Sequence, residues 1–374
     1  MVEGRTCVVV LSVAGILGSV GCGGESFGPA AGTGATPLVD AGGGTTIDGA
    51  SALAPTDSGA DSAPAVDAGL DAASNVVTVA SQVDPNRIAI DGTSIYWTDG
   101  DRAVMKMPLS GGTPTMLAPE YENIPFAIAV DRTSVYWTTL HSDGQGGDSL
   151  GTVRSMPLDG GTPTTLASGQ DTPTAIAVDS TSVYWVTEDG NVMKVARSGG
   201  TATTLATGQS GAGRSLAIDG TSAYWTNTVA QTGSVMKVSL DGGTPVTLSS
   251  PEDAPYGIAV DGASVYWTNA NGGTVRRMPL AGGAITTIAT TEALAPHEIF
   301  VSATGVYWIA SVPTNADPGG GNQYVMTAPL TGLAPGRTPT TLATGVFDEA
   351  FAIGATTAYL STPTMGGLVR VALH

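Results

Sequence analysis

The sequence predicts an all-β protein, a seven-bladed β-propeller of four-stranded antiparallel blades. Three observations predict this fold class. A short phrase recurs seven times in residues 76–374, and each copy contains four short β-rich runs. Glycine and proline account for 52 and 23 of the 374 residues, which favours many turns over long helices.

The recurring phrase joins an Ile-Ala-Val-Asp-like run to a Tyr-Trp-Thr line. In its first copy Ile88 to Asp91 is followed, three residues later, by Ile95 to Thr98. All six tryptophans directly follow a tyrosine of the phrase, and Leu360 stands in the seventh place. The phrase tyrosines are residues 96, 136, 184, 224, 266, 307 and 359, with spacings of 40, 48, 40, 42, 41 and 52. Adjacent strand residues point to opposite faces, so each Tyr-Trp pair is expected to pack against the two neighbouring blades.

The rest of each copy supplies the other strands and turns. Val104–Leu109 is a third run, Ser110–Pro114 a turn and Thr115–Ala118 a fourth run. Val76–Ala80 matches a fourth run but precedes the first complete copy, whereas the last copy stops after its third run. We therefore expect the N-terminal strand to complete and close the last blade.

An aspartate ends the first run in five of the copies and precedes a tight turn. In that position a carboxylate accepts backbone N–H hydrogen bonds, so we interpret these residues as turn-forming and not as metal ligands. They are Asp91, Asp131, Asp179, Asp219 and Asp261.

The Ile-Ala-Val-Asp phrase and the line Tyr96 to Asp99 resemble the YWTD-type propellers of the LDL-receptor family. The resemblance covers nearly all of residues 76–374 and implies mostly protein ligands, bound across the face formed by the interblade loops. The chain departs from the family in blade number, since that family has six. It also departs in the fourth motif position, which reads Asp99, Thr139, Thr187, Asn227, Asn269, Ala310 and Thr362.

The N-terminus predicts export. Arg5 precedes an apolar run from Cys7 to Val20 that is too short to span a membrane as a mature helix. The segment from Ser19 to Cys22 resembles a bacterial lipobox, although that family usually has Leu where Ser19 stands. The resemblance implies a lipoprotein signal over residues 1–21, lipidation of Cys22 and anchoring to the cell envelope, at the outer membrane. An ordinary signal peptide cleaved nearby is the alternative.

Residues 22–75 predict a disordered acidic tether. They consist almost entirely of Gly, Ala, Ser, Thr, Pro and Asp and contain no Lys or Arg. Such a segment buries too little apolar surface to offset its ordering entropy. The predicted organisation is a signal at 1–21, this tether, and the propeller at 76–374.

Composition excludes several classes of function. The formal charge of −18, from 14 bases and 32 acids, argues against a nucleic-acid partner. Three histidines and two cysteines are too few for a Cys/His zinc cluster or a disulfide framework. We expect no cofactor and no catalytic residue, with a structural or weakly bound divalent cation left open.

The predicted binding surface is one face of the ring. It carries the connections between blades and those between second and third strands, such as the long ones around 138–151 and 310–323. We call this side the loop face and the opposite side the turn face. Long loops on a rigid scaffold build binding specificity. We assign 17 of the 24 acids of residues 76–374, but only three arginines, to the loop face. The candidate binding residues are Glu120, Tyr121, Glu122, His141, Asp143, Glu252, Asp253, Tyr256, His297, Glu298, Asp348 and Glu349.

These features favour a membrane-tethered, monomeric, non-enzymatic binding or scaffold module. Its partner would be a protein or another cell-envelope ligand, and the acids favour a basic one. Contact with the membrane is expected through the lipid anchor alone. One alternative is a metal-assisted lyase or lactone hydrolase at the funnel mouth, using His141 with Asp143 or His297 with Glu298. The other is a purely structural envelope lipoprotein.

Overall fold

The computed structural model describes residues 75–120, 123–141, 150–211, 215–291, 293–312, 323–345, 347, 350–362 and 366–373. Within these ranges the chain forms 28 strands, arranged as seven four-stranded antiparallel sheets. The first strand is β1 (Val76–Ser81). The all-β fold class, the seven blades and the four strands per blade are as predicted from the sequence.

Blades 1 to 4 follow one another along the chain. Blade 1 contains β2 (Pro85–Ile90), β3 (Ser94–Asp99), β4 (Ala103–Pro108) and β5 (Thr115–Pro119). Blade 2 contains β6 (Asn123–Val130), β7 (Ser134–His141), β8 (Leu150–Pro157) and β9 (Thr164–Asp171). Blade 3 contains β10 (Pro173–Val178), β11 (Ser182–Thr187), β12 (Val192–Ala196) and β13 (Thr203–Ala206). Blade 4 contains β14 (Leu216–Ile218), β15 (Ser222–Asn227), β16 (Gly233–Ser239) and β17 (Val246–Glu252).

Blades 5 to 7 complete the ring. Blade 5 contains β18 (Pro255–Val260), β19 (Ser264–Asn269), β20 (Thr274–Pro279) and β21 (Thr286–Thr290). Blade 6 contains β22 (Ala295–Val301), β23 (Val306–Ser311), β24 (Gln323–Ala328) and β25 (Thr340–Gly345). Blade 7 contains β26 (Phe351–Ile353), β27 (Thr357–Thr362), β28 (Gly367–Ala372) and β1, in that spatial order.

The N-terminal strand closes blade 7, as expected. β1 runs antiparallel to β28, with Val76 opposite Val371 and Ser81 opposite Gly367. The first strand of every blade contacts the first strand of the next, and β26 contacts β2, so the innermost strands form an uninterrupted ring.

The Tyr-Trp pairs fill the interfaces between blades. The six tryptophans are completely buried, and each shares a hydrophobic cluster with the tyrosine of the preceding blade. Burying about 200 Å² of indole contributes about 5 kcal/mol gross at each site. The pairs are Tyr96 with Trp137, Tyr136 with Trp185, Tyr184 with Trp225, Tyr224 with Trp267, Tyr266 with Trp308, Tyr307 with Leu360 and Tyr359 with Trp97. The last pair joins the two ends of the ring.

The repeated aspartates form turns and hold the repeated tyrosines. Asp219 Oδ1 accepts hydrogen bonds from the Thr221 and Ser222 amides at 2.6 and 2.8 Å. Its Oδ2 accepts one from the Tyr224 hydroxyl at 2.7 Å. The same bonds occur at the other four aspartates of the motif. In four blades the threonine hydroxyl also donates to the aspartate, and in blade 5 Ala263, which has no hydroxyl, donates through its amide alone. The carboxylate therefore links each first turn to the core tyrosine.

In blade 3 this linkage changes the pKa values of both partners. Burial raises the pKa of Tyr184 to about 12, aided by its hydrogen bond to Asp179. Burial alone would raise the pKa of Asp179, but the bonds from Thr181, Ser182 and Tyr184 outweigh it and lower that pKa. The Tyr266 pKa rises to about 12 for the same reasons as that of Tyr184.

We expect the stability of the propeller to fall at alkaline pH. A tyrosine whose pKa is raised on folding contributes stability below its unfolded pKa of about 10 and loses it as pH rises towards the folded value. Urea midpoints should therefore decline between pH 10 and 12. They should decline less in a variant with Tyr184→Phe and Tyr266→Phe, which removes two of the responsible hydroxyls. If the urea midpoints of wild type and the double variant fall equally between pH 10 and 12, this linkage is wrong.

Candidate functional site

The mouth of the ring on the loop face is built by the beginnings of the innermost strands. Proline opens β2, β10 and β18, and a bulge follows it before pairing with the second strand becomes regular. Proline suits the first residue of a strand because it lacks the N–H that a ladder would use. The bulge also frees a backbone carbonyl for contacts outside its own blade.

The threonine of the Tyr-Trp-Thr line binds this free carbonyl in the next blade. Thr98 Oγ1 donates to the carbonyl of Phe126 at 2.7 Å. Thr226 and Thr268 donate in the same way to Tyr256 and His297, at 2.7 and 2.6 Å. The bonds fix the residues at the mouth to the neighbouring blade. This role was not predicted from the sequence, although the recurrence of the threonine was its visible signal.

The structure brings two of the predicted binding residues together at the mouth. The rings of Tyr256 and His297 meet edge to face, with centroids 5.0 Å apart. His297 Nε2 lies 2.7 Å from Ser311 Oγ. Tyr256 is buried and His297 is half-buried. They form a rigid aromatic group between blades 5 and 6.

Three of the acids predicted to form the binding face are buried. Glu120, Glu252 and Glu298 are only 3%, 2% and 1% exposed. Both Glu120 oxygens lie 2.5 Å from Arg154 Nη1, and Trp137 donates its indole N–H to Oε1 at 3.0 Å. Glu120 therefore contributes to the packing of blades 1 and 2 and adds no exposed charge to the loop face.

Glu252 occupies the corresponding place between blades 4 and 5. It accepts hydrogen bonds from Ser249, from Asn269 at 2.6 Å and from Arg276 at 2.6 Å. Burial would raise the pKa of Glu252, but these bonds and the Arg276 charge together lower it. Arg276 also lies over the Trp267 ring, 5.8 Å from its centroid. Two third-strand arginines, Arg154 and Arg276, thus pair with two of the acids assigned to the loop face.

Of the other predicted residues, the structure describes Asp253 and His141. Asp253 is half-buried, and its Oδ1 accepts the Gln231 amide at 3.0 Å. His141 ends β7. Cys22, Tyr121, Glu122, Asp143, Asp348 and Glu349 lie outside the described residues. Loop-face acids that are exposed to solvent are Asp84, Asp101, Asp171, Glu188 and Asp189.

In four blades the variable fourth motif position is linked to the acceptor that the indole N–H uses. Trp97 and Trp225 donate to Asp99 and Asn227, at 2.9 and 3.1 Å, within their own strand. Trp137 and Trp185 donate to Glu120 and Gln170, at 3.0 Å each, on the fourth strand of the preceding blade or just after it. In these four blades the acceptor comes from either position. Among the described residues, the indole N–H groups of Trp267 and Trp308 donate to no acceptor, so the pattern does not extend to blades 5 and 6.

Within the ranges given above, no group of three or more His, Cys, Asp or Glu side chains could hold a metal ion. In the same part of the chain, no helix has the length and apolar character required to cross a bilayer.

No family model matches the chain, and no curated protein matches it in sequence. Solved structures do match. A chain of the nidogen/laminin complex is 16% identical, with 74% of this chain and 96% of that chain covered and a TM-score of 0.51. Virginiamycin B lyase from Staphylococcus aureus is 12% identical, with 80% and 98% covered and a TM-score of 0.56. YCF48 bound to D1 peptide is 10% identical, with 80% and 94% covered and a TM-score of 0.55.

This chain is a β-propeller repeat protein. At these identities the likeness shows the fold alone.

Proposed function

We propose that this propeller is a protein-binding module that holds its partner on the loop face. The observation that carries the proposal is the uneven length of the connections between second and third strands. Eight residues separate β7 from β8 and eleven separate β23 from β24, whereas the other blades use three to five. Long connections on one face of a rigid ring are where recognition is built. The nidogen/laminin and YCF48–D1 peptide complexes show that similar propellers occur with protein partners.

The exposed acids of this face favour a basic partner. Asp84, Asp101, Asp171, Glu188 and Asp189 remain solvent-facing after the buried glutamates are set aside. A field of one sign steers an oppositely charged partner and raises its association rate, and salt screens it. In this proposal the partner presents Lys and Arg side chains to the rim.

We expect partner capture from envelope extracts to weaken several-fold when two rim charges are removed. The test variant combines Asp101→Asn and Glu188→Gln, and both residues are exposed on the loop face. The matched control combines Asp159→Asn and Asp241→Asn, exposed on the turn face. Capture is measured from 50 to 500 mM salt and should decline with salt for wild type and control. Equal effects of both pairs would contradict a specific face, and capture insensitive to salt would contradict the electrostatic proposal.

The enzyme alternative places a lyase or lactone hydrolase at the mouth with His297 and Glu298. One of the similar structures is a lyase. We favour binding because Glu298 is only 1% exposed, which leaves its carboxylate little access to a substrate.

The proposed address is the outer membrane of the cell envelope, with the propeller held on a tether. The small residues before Cys22 and the Gly- and Asp-rich segment after it support this proposal. We expect wild type to fractionate with membranes and incorporate labelled fatty acid, and Cys22→Ala to do neither. A soluble wild type, or label retained by the variant, would contradict lipidation.

A further inference from the structure

Arg87 breaks the repeat at the mouth of the ring. It lies in the innermost strand β2, opposite Thr98 of β3, and directly precedes the repeated Ile-Ala pair. The corresponding positions of the other blades are Ala127, Ala175, Ser215, Gly257, Glu298 and Ala350. Blade 1 alone thus places a cation where five blades have a small residue.

The Arg87 guanidinium is buried but incompletely hydrogen-bonded. The residue is 7% exposed, and Nη1 donates to the Asn86 carbonyl at 2.5 Å. Its Nε and Nη2 are buried and, among the described residues, donate to no acceptor. A guanidinium stays charged at any physiological pH, and a buried charge without a partner is strongly unfavourable.

The two unused donors lie on the same edge of the guanidinium. Nε–H and Nη2–H point in parallel, which matches the two oxygens of a carboxylate. In this buried position the guanidinium carbon is 5.1 Å from the centroid of the Phe126 ring. The opposite edge donates to Asn86 through Nη1.

We propose that Arg87 binds a carboxylate of the partner at the mouth of the loop face. This proposal rests on the proposed function and specifies its ligand. The exposed acids of the rim repel a multiply charged anion. A basic segment that carries one carboxylate is attracted to these acids through its Lys and Arg side chains and offers its carboxylate to Arg87. Binding turns the long Arg87 side chain from its buried position towards the mouth. The partner therefore offers a basic peptide segment with one Asp or Glu side chain or a chain terminus.

The test uses the full chain labelled with ¹⁵N-arginine and needs no partner. Sodium acetate is titrated against sodium chloride at equal ionic strength. We expect one arginine Nε–H resonance to move downfield and saturate with acetate only, since a bidentate carboxylate bond deshields that proton. In Arg87→Lys, which keeps the charge and loses the parallel donors, this resonance disappears and no other replaces it. Arg132 is exposed on the turn face, so Arg132→Lys should leave the response to acetate intact.

A second arm separates a free carboxylate from a peptide. A short Lys-rich peptide with a C-terminal carboxylate should bind at least tenfold more tightly than its carboxamide, and Arg87→Lys should abolish that ratio. Equal responses to acetate and chloride in wild type overturn the proposal, as does an acetate response retained in Arg87→Lys. If Arg87→Lys does not fold, the wild-type titration and the acid-to-amide ratio decide alone. Loss of salt-dependent capture alone would overturn the proposed function and leave this titration unaffected.

Discussion

Deleting Val76–Ala80 is expected to lower the melting temperature of the propeller by about 10 °C or more, because the deletion opens the ring where its two ends pair. These residues form most of β1, which pairs with β28 along its whole length. Val76 packs with the cluster of Tyr307 and Leu360, and Val79 packs with the cluster of Trp97 and Tyr359. The deletion therefore exposes a strand edge and loosens the packing on both sides of blade 7.

Two controls separate ring closure from a general effect of truncation. Deleting residues 23–70, which lie in the predicted tether, should leave the melting temperature nearly unchanged. Adding a synthetic peptide of residues 75–83 to the protein that lacks Val76–Ala80 should restore much of the lost stability, since it supplies the missing strand in trans. A melting temperature unaffected by loss of the strand would contradict the seam that we describe.

The fold could be predicted because each signal that specifies it is local. The alternation of Tyr96 and Trp97 within one strand places them on opposite faces, and Asp91 five residues earlier marks the turn. Repetition of such a unit leaves few architectures other than a ring. Closure by β1 could also be predicted, because the sequence begins the repeats with an extra fourth run and ends them with a copy that lacks its own fourth run.

The candidate site was predicted less well because its contacts join residues that are distant in sequence. Glu120 and Arg154 are 34 residues apart, and Glu252 and Arg276 are 24 apart. In the sequence, a glutamate at the end of an outer strand looks like a solvated loop acid. The arginine that buries it lies in the next blade, which the local sequence does not show. The two glutamates consequently appeared as binding residues, although they form ion pairs inside the ring. Arg87, one of the three arginines assigned to the loop face, is buried for the same reason, since it lies against Phe126 of the next blade.

Replacing Arg276 with Met is expected to destabilise the propeller by about 3 kcal/mol at pH 7, since it leaves a buried carboxylate without its ion-pair partner. The Glu252 side chain is 1% exposed and that of Arg276 is 28% exposed. The expected loss is therefore placed at the lower end of the range for buried pairs. Arg276→Lys, which keeps the charge, should cost less. Arg132→Met removes an equal charge from an exposed position and should have little effect.

A second change should recover part of the loss. With Glu252→Leu added to Arg276→Met, no uncompensated charge stays buried, so the double variant should be more stable than Arg276→Met alone. The pH dependence gives an independent check. A carboxyl whose pKa is lowered on folding contributes stability above its unfolded value of 4.5 and loses it as pH falls through the folded value. Arg276→Met removes part of that lowering, so the difference between wild type and variant in urea midpoint should shrink from pH 7 to pH 4. A difference that stays constant over this range would mean that Arg276 stabilises the blade through packing on Trp267 and not through Glu252.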